Sequence, residues 1–402
     1  EEFMTWLRTE RDVPCSPKSY ARRLTTLKVF FGWLSAAEVL KSDPAAPLIH
    51  IHPTTPLPEV LSDDQTNALL AATRDIGPLP SRVALDEVPT PQPHERWVLV
   101  RIKSAAICGT DRENLEGPGQ ATIPGHESAG QVVAVDRPAR VKVGDRVAIN
   151  CHVTCGSCEH CLRGDLYFCP ELTVIGFDYD GGFAEYALVP EASCMPLPDD
   201  LSFEVGALLV DMVGTSFRAV KRAGLLPGDH VAVWGAGPVG LSTMLIARQF
   251  GARAASIDLS DARLDMARSL GADLALNPAR DDVQAVLRDW SQGHGLDVGF
   301  DCVGNQAVAE AAFGALKRRG TLVVVGVSHA LTLNPWEHLI CREMTVFGTR
   351  NFNAAEFDQM IALVRRGLPV QSIVTHRFPV DQAEAAFALF RCGDSGKVVL
   401  TG

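Results

Sequence analysis

The sequence has no run approaching the ~20 consecutive apolar residues needed to span a bilayer. Its opening, EEFMTWLRTE, lacks the basic-then-apolar order of a secretion signal. A membrane-embedded or exported protein is therefore not expected, and the expected location is cytoplasmic. A surplus of positive charge is also missing: 37 Lys and Arg against 48 Asp and Glu give a formal net charge of -11. That balance argues against a surface built throughout for gripping phosphate backbones and suits a small-molecule substrate. No internal repeat or long low-complexity tract is evident, and the chain opens on Glu1 rather than Met, which implies that its natural start lies upstream. What is present is length and apolar content. With 402 residues, 47% of them hydrophobic, the chain can bury more than one core, so two or three domains are expected. Its 11 cysteines, in a chain without a secretion signal, point to metal binding before disulfides.

Residues 1–76 differ in texture from the rest. In SPKSYARRLTTLKVFFGWL, Tyr20, Leu24, Leu27, Phe30, Phe31 and Leu34 fall at helical spacing. A proline-rich connection follows, and Ser62 with Gln65 then forms a capping-box start for a second helix carrying Leu69 and Leu70. Between Arg8 and Lys41 there are seven Lys and Arg against three acids. This segment resembles the DNA-gripping N-terminal helical domain of tyrosine recombinases, but the catalytic domain of those enzymes does not follow, so strand transfer is not expected. The basic stretch is equally a solvated helix face.

After Gly77 the pattern becomes short β-rich runs such as WVLVRIKSAAI and SAGQVVAV, separated by Gly, Pro and Asp. From about residue 214, strands alternate with helices: HVAVWGAG, VGLSTMLIARQFG, AASIDLS, DARLDMARSLG, then LDVGFDCVG and TLVVVGV. Such alternation predicts a parallel, doubly wound α/β sheet.

Three groups of residues carry chemistry. The array TCGSCEHCLRGDLYFC places Cys155, Cys158, Cys161 and Cys169 at C-x2-C-x2-C-x7-C spacing. Four thiolates can close a tetrahedron around zinc with no open position, which describes a structural site. Cys151, His152 and His160 lie nearby and are left out of the set. The second group is Gly235, Gly237, Pro238, Val239 and Gly240, a GxGxxG between an apolar strand and a helix, with Asp258 at the end of the next strand. The first glycine permits the tight turn, the second lets the backbone approach a pyrophosphate, and the third allows close helix–strand packing. Asp258 would accept hydrogen bonds from an adenosine ribose and repel a 2′-phosphate, favouring NAD over NADP. The third group is scattered: Cys108 in ICGTD, His126 and Glu127 in PGHE, and Asp211 in DMVGT. Cys, His and carboxylate can supply the three ligands of a catalytic zinc that keeps a fourth position open.

The ordered set ICGTD, PGHE, four-cysteine lobe, DGGFAEYALVP, DMVGT and VWGAGPVG resembles the zinc-containing medium-chain alcohol dehydrogenase family over residues 80–402, in the flavour of its polyol, sugar and threonine dehydrogenases. The resemblance implies a GroES-like β-rich catalytic domain (77–213 plus 349–402) around a Rossmann domain (214–348). It implies Cys108, His126 and Asp211 as catalytic zinc ligands, with Glu127 beside the metal and able to join it. Thr110 becomes the hydroxyl that relays the substrate proton, and Thr215 a residue lining the nicotinamide. Where many relatives place the last histidine of the relay, this sequence has Glu113. The implied reaction is hydride transfer from a secondary alcohol (polyol, sugar, sugar acid or threonine-like) to NAD, with zinc as Lewis acid. A homodimer or homotetramer is also implied. The rival readings are a dehydrogenase of simple alcohols or aldehydes, and a DNA-binding module carrying an inactive dehydrogenase.

Overall fold

The computed structural model describes residues 83–112, 122–137, 139–327 and 330–402. The helices expected within residues 1–76, and Glu113, lie outside the described residues. The chain divides into two compact units, residues 1–79 and 80–402.

The first half of the second unit is β-rich: β1 (Trp97–Ala106), β2 (Ser128–Val135), β3 (Arg146–Ile149), β4 (His152–Val153), β5 (Thr173–Val174), β6 (Tyr186–Pro190) and β7 (Cys194–Pro196). A nearly continuous helical rod follows: α1 (Phe203–Leu208), a π-helical turn over Leu209–Val213, and α2 (Gly214–Ala223). Then come β8 (His230–Trp234), α3 (Pro238–Gln249), β9 (Arg253–Ile257), α4 (Asp261–Ser269), β10 (Leu274–Leu276), α5 (Val283–Trp290), β11 (Leu296–Asp301), α6 (Gln306–Ala315), β12 (Leu316–Val324) and β13 (Thr345–Gly348). The chain closes with α7 (Phe357–Arg365), β14 (Val374–Pro379), α8 (Ala383–Cys392) and β15 (Lys397–Thr401).

Two main sheets result. One runs β14-β15-β1-β2-β3-β7 with β6 also on β1, mostly antiparallel. The C-terminal strand β15 pairs with β1, so the last residues of the chain complete the sheet that its first described strand begins. The other sheet is parallel throughout, in the order β10-β9-β8-β11-β12-β13. Renumbered from its own first strand this order is 3-2-1-4-5-6, the doubly wound arrangement that binds dinucleotides where the strand order reverses. That crevice lies between β8 and β11.

Local chemistry explains the elements. β8, HVAVW, is buried along almost its whole length, as a central parallel strand covered on both faces must be. Gly237 caps α3 with Pro238 in its first turn, where a missing N–H is harmless. The side chains of Ser260, Asp282 and Asn305 cap α4, α5 and α6 by accepting from Arg263, Ala285 and Val308 backbone N–H groups. α2 ends on Gly224 in the left-handed region, φ 67°. The rod joins the sheets into one body. A single cluster of buried residues runs from Ala106, Ala129 and Ala148 of the first sheet through Leu208, Leu209 and Met212 to Val231 and Val233 of the second.

Candidate functional site

Cys108 lies just beyond β1, in a turn held by its own amide donating to Asp111 Oδ2 at 2.8 Å and by Asp111 N–H donating to the Cys108 carbonyl at 3.1 Å. His126 and Glu127 immediately precede β2. Gly125 turns the chain there at φ 107°, where a Cβ would lie 2.7 Å from the Phe183 nitrogen, so only glycine fits. Asp211 sits on the π-helical turn between α1 and α2. Such turns interrupt regular helices preferentially at functional sites. One ligand atom from each of Cys108, His126, Glu127 and Asp211 falls within 4.8 Å of the others. Residues distant in sequence therefore converge.

The ring of His126 is oriented from both sides: Nδ1 faces Asp111 Oδ1 at 3.3 Å, and Nε2 faces Thr110 Oγ1 at 3.2 Å and Asp211 Oδ2 at 3.7 Å. A carboxylate behind a metal-facing histidine fixes its tautomer and direction. Asp211 also lies 3.4 Å from Cys108 Sγ and accepts from Thr215 Oγ1 at 3.3 Å. Burial pushes the Cys108 thiol up, and the neighbouring Asp211 adds to this. Burial likewise raises Glu127 to about 8, although Lys397 opposes the shift. His126 is raised well above its ordinary value: burial works against this, but Cys108 and Asp111 outweigh it. Burial would also raise Asp211, yet His126 holds it well below the carboxylate range. One thiol and two carboxyls crowded together in a buried site are tolerable as anions only with cationic partners beside them. Glu127 Oε2 is buried and accepts no hydrogen bond among the described residues. This donor set, soft sulfur with imidazole and carboxylate, suits zinc.

The four cysteines of the lobe also converge. Sγ separations are 3.9 Å for Cys155–Cys161, 3.4 Å for Cys158–Cys161 and 3.6 Å for Cys155–Cys169. A zinc tetrathiolate with ~2.3 Å bonds has tetrahedral edges of ~3.8 Å. Cys158 N–H points at Cys155 Sγ and Cys155 N–H at Cys169 Sγ, both at 3.4 Å. Backbone N–H groups of Ser157 and Cys158 lower the Cys155 thiol to about 6, toward the thiolate a metal requires. The lobe is fastened to the segment after β13: Ala354 N–H donates to the Gly164 carbonyl at 3.0 Å, Asn353 Nδ2 to Asp165 at 2.9 Å, and Arg350 to Tyr167 Oη at 2.5 Å.

At the end of β8, Gly235 adopts φ 92°, and a Cβ on Gly240 would collide with the Gly235 carbonyl. Around Gly237 the nearest foreign atom to such a Cβ is the Arg263 guanidinium at 3.8 Å, which leaves the open approach a pyrophosphate needs. The Val239 carbonyl accepts from Ser216 and Thr243, tying α3 to α2 beside the buried Thr215. Asp258 accepts from Ala236 N–H at 2.7 Å and Ser260 N–H at 2.8 Å, with Arg263 at 3.8 Å. Each carboxylate oxygen keeps a lone pair for a ribose hydroxyl.

Sequence reasoning passed over several residues here. Asp111 stood within the ICGTD motif without a role. Lys397 donates to Glu127 Oε1 at 2.6 Å across 270 residues of sequence, and nothing local signals that contact. His152, set aside as a neighbour of the cysteines, is buried against Asn351 Nδ2 at 3.0 Å, and burial lowers it to about 4.

Two family models match the chain: an alcohol dehydrogenase GroES-like domain over residues 94–199 and a zinc-binding dehydrogenase domain over residues 238–366. The L-threonine 3-dehydrogenase of Chromobacterium violaceum is 33% identical over 326 residues, covering 79% of this chain and 95% of its own length. That of an Anaeromyxobacter species is 34% identical over 324 residues, covering 78% and 94%. Among solved structures, the alcohol dehydrogenase TADH from Thermus sp. ATN1 superposes with a TM-score of 0.75 at 30% identity, covering 80% of this chain and 97% of its own. A short chain alcohol dehydrogenase from E. coli CFT073, complexed with NADH, gives 0.74 at 26% identity with the same coverage.

Proposed function

Because the chain belongs to the zinc-containing medium-chain alcohol dehydrogenase family and is a zinc- and NAD-dependent oxidoreductase of secondary alcohols, we propose that Cys108, His126 and Asp211 hold its catalytic zinc. In this reading Cys155, Cys158, Cys161 and Cys169 hold a structural one. The convergence of Cys108, His126, Glu127 and Asp211 within 4.8 Å carries the proposal. When bound, the zinc supplies Lewis acidity toward the substrate hydroxyl and the nicotinamide accepts the hydride. The chain's own residues do the rest. Asp111 orients His126, Thr110 takes the substrate's hydroxyl proton and passes it outward, and Thr215 steadies Asp211 beside the nicotinamide. Gly235, Gly237, Pro238, Val239 and Gly240 cradle the dinucleotide, and Asp258 reads its ribose. The proposed domains are 77–213 with 349–402, and 214–348.

The substrate class follows the relatives, whose activity puts L-threonine first among the candidates. NAD reduction by zinc-replete protein, measured across L-threonine, polyols, sugar acids and simple secondary alcohols, tests this. The highest kcat/KM is expected for a substrate carrying a second polar group beside the carbinol. Best turnover of an unsubstituted secondary alcohol would replace the proposal with the simple-alcohol reading.

Asp258 also provides a test of cofactor choice. Asp258→Ser removes a charge that would repel a 2′-phosphate, but it also frees the Ala236 and Ser260 amides. Charge-assisted hydrogen bonds contribute about 1.5–3 kcal/mol. The variant is therefore expected to lose about tenfold or more in kcat/KM for NAD while its NADP activity changes little. A wild-type preference for NADP would remove Asp258 from this role.

We further propose a homodimer or homotetramer joined along β13. That strand is a sheet edge, paired among the described residues only with β12, and Val327, Trp336 and Ile340 are each more than 60% exposed. Light scattering of the full chain checks the oligomeric state. A cytoplasmic location is part of the same proposal. No described helix is long and apolar enough to cross a membrane.

A further inference from the structure

Asp258 has a second carboxylate for a neighbour. The Ser260 N–H donates to Asp258 Oδ1 at 2.8 Å, and the Ser260 hydroxyl donates to Asp394 Oδ1 at 2.9 Å. Bonds through one serine hold the two acids within about 10 Å, the Debye length at 0.1 M salt. Asp394 comes from the loop between α8 and β15, outside the segment that supplies the rest of the dinucleotide cradle. That loop is seated on both sides of Asp394. Gly393 ends α8 in the left-handed region at φ 83°. Ser395 is buried, and Gly396 lies so near α4 that a Cβ there would come within 2.6 Å of Met266 Cε. Asp394 itself is exposed. Arg263 completes the group: its guanidinium is 3.8 Å from Asp258 Oδ2, and its Nε is buried without a hydrogen-bond partner among the described residues.

We propose that Asp394 is a second specificity-determining residue for the cofactor, a carboxylate that acts with Asp258 to repel a 2′-phosphate. The inference rests on the assignment of Asp258 above. A ribose hydroxyl is neutral and can donate to these acids. A 2′-phosphate brings a charge of about −1.5 to −2 into a corner where two carboxylates outnumber one guanidinium. Arginine is the side chain that accommodates a 2′-phosphate in dinucleotide sites, so Arg263 is a phosphate partner whose attraction the two acids cancel. Loss of Asp258 alone is expected to change NADP use little because the charge of Asp394 remains. Exposure keeps the effect of Asp394 moderate, since water and salt screen it.

The test uses full-length, zinc-replete enzyme and compares wild type, Asp394→Asn, Asp394→Ala, Asp258→Ser and the double variant Asp258→Ser/Asp394→Asn. Two readouts are taken: kcat/KM with NADP and with NAD, and inhibition against NAD by adenosine 2′,5′-bisphosphate and by 5′-AMP, which differ only in the 2′-phosphate. Asp394→Asn keeps an acceptor for the Ser260 hydroxyl and removes only the charge. It is expected to improve NADP relative to NAD, and the bisphosphate relative to 5′-AMP, by about threefold to tenfold. The gain should shrink at about 1 M salt, where the Debye length falls to ~3 Å. The double variant should use NADP about tenfold or more better than Asp258→Ser does, and adding Arg263→Ala should take that gain away. If Asp394 merely fastened its loop to Ser260, Asp394→Asn would match wild type while Asp394→Ala weakened NAD and NADP alike. That pattern overturns the proposal, as does a folded Asp394→Asn with wild-type ratios in both readouts. Wild-type preference for NADP would take both carboxylates out of the role, whereas preference for NAD with Asp394→Asn unchanged removes Asp394 alone.

Discussion

Cys108→Ser is expected to remove turnover while leaving the fold largely intact, and Cys161→Ser to do the reverse in kind, losing stability first. Wild-type protein should carry about two zinc ions per chain by elemental analysis, and each variant about one, because the two ligand sets are separate and each is complete. Cys108 holds its place through a turn built by Asp111, so a serine there disturbs little beyond the metal. What is lost is the Lewis acid, worth several kcal/mol of transition-state stabilisation, or on the order of 10³-fold in kcat/KM. Cys161 belongs to a lobe with almost no apolar core of its own; its one-turn helix buries no residue. On the proposed assignment, a bound zinc would supply the stability that this missing core does not. The lobe in turn anchors the segment after β13 through Gly164, Asp165 and Tyr167, and Asp165 meets Arg218 of α2 at 3.0 Å. Loss of about 3 kcal/mol would lower the melting temperature by roughly 4 °C in a chain of 402 residues. Thermal melts beside initial rates distinguish the two variants. Equal destabilisation by both would refute the division into catalytic and structural sites.

Thr110→Val should lower kcat by about 10²–10⁴-fold, the usual worth of a positioned proton-transfer group. Thr110 Oγ1 lies 3.2 Å from His126 Nε2, on the side where the metal ligands converge. Its hydroxyl both accepts and donates, so it can take the proton of a substrate alcohol and pass another on without becoming charged. Valine keeps the shape and removes that capacity. KM should change much less than kcat, because the group acts on a proton in flight. Glu113 is proposed to receive the proton from Thr110. An ionised carboxylate can accept a proton. The pH–rate profiles of wild type and Glu113→Gln at saturating NAD and alcohol should therefore differ, with the variant's plateau lowered. Superimposable profiles would end the relay at water, and an unchanged kcat in Thr110→Val would remove Thr110 from it altogether.

Features that depend on local spacing are readable without a structure. The four cysteines lie within fifteen residues, so the C-x2-C-x2-C-x7-C interval alone brings their sulfurs together. GAGPVG specifies its own turn, because Gly235 needs positive φ and Gly240 has no room for a Cβ wherever a strand feeds a helix so tightly. The strand–helix alternation after residue 214 likewise dictated a parallel sheet, since parallel neighbours require crossovers. Cys108, His126 and Asp211 were legible in another way, through the order of motifs resembling a known family, since nothing in their spacing says that they meet. The contacts that close the site depend instead on how distant segments fold together. Asp211 reaches the cluster because a π-helical turn breaks the rod between α1 and α2, and no periodicity in LLVDMVGTSF announces that turn. Asp111 behind His126 depends on how two loops from adjacent strand ends face each other. Lys397 against Glu127 exists only because β15 returns to pair with β1 after almost three hundred residues, which puts the first residue of the last strand beside the proposed metal ligands. A buried charge pair of this kind has no local sequence signal, because each partner is acceptable inside the protein only once the other has been delivered by the fold.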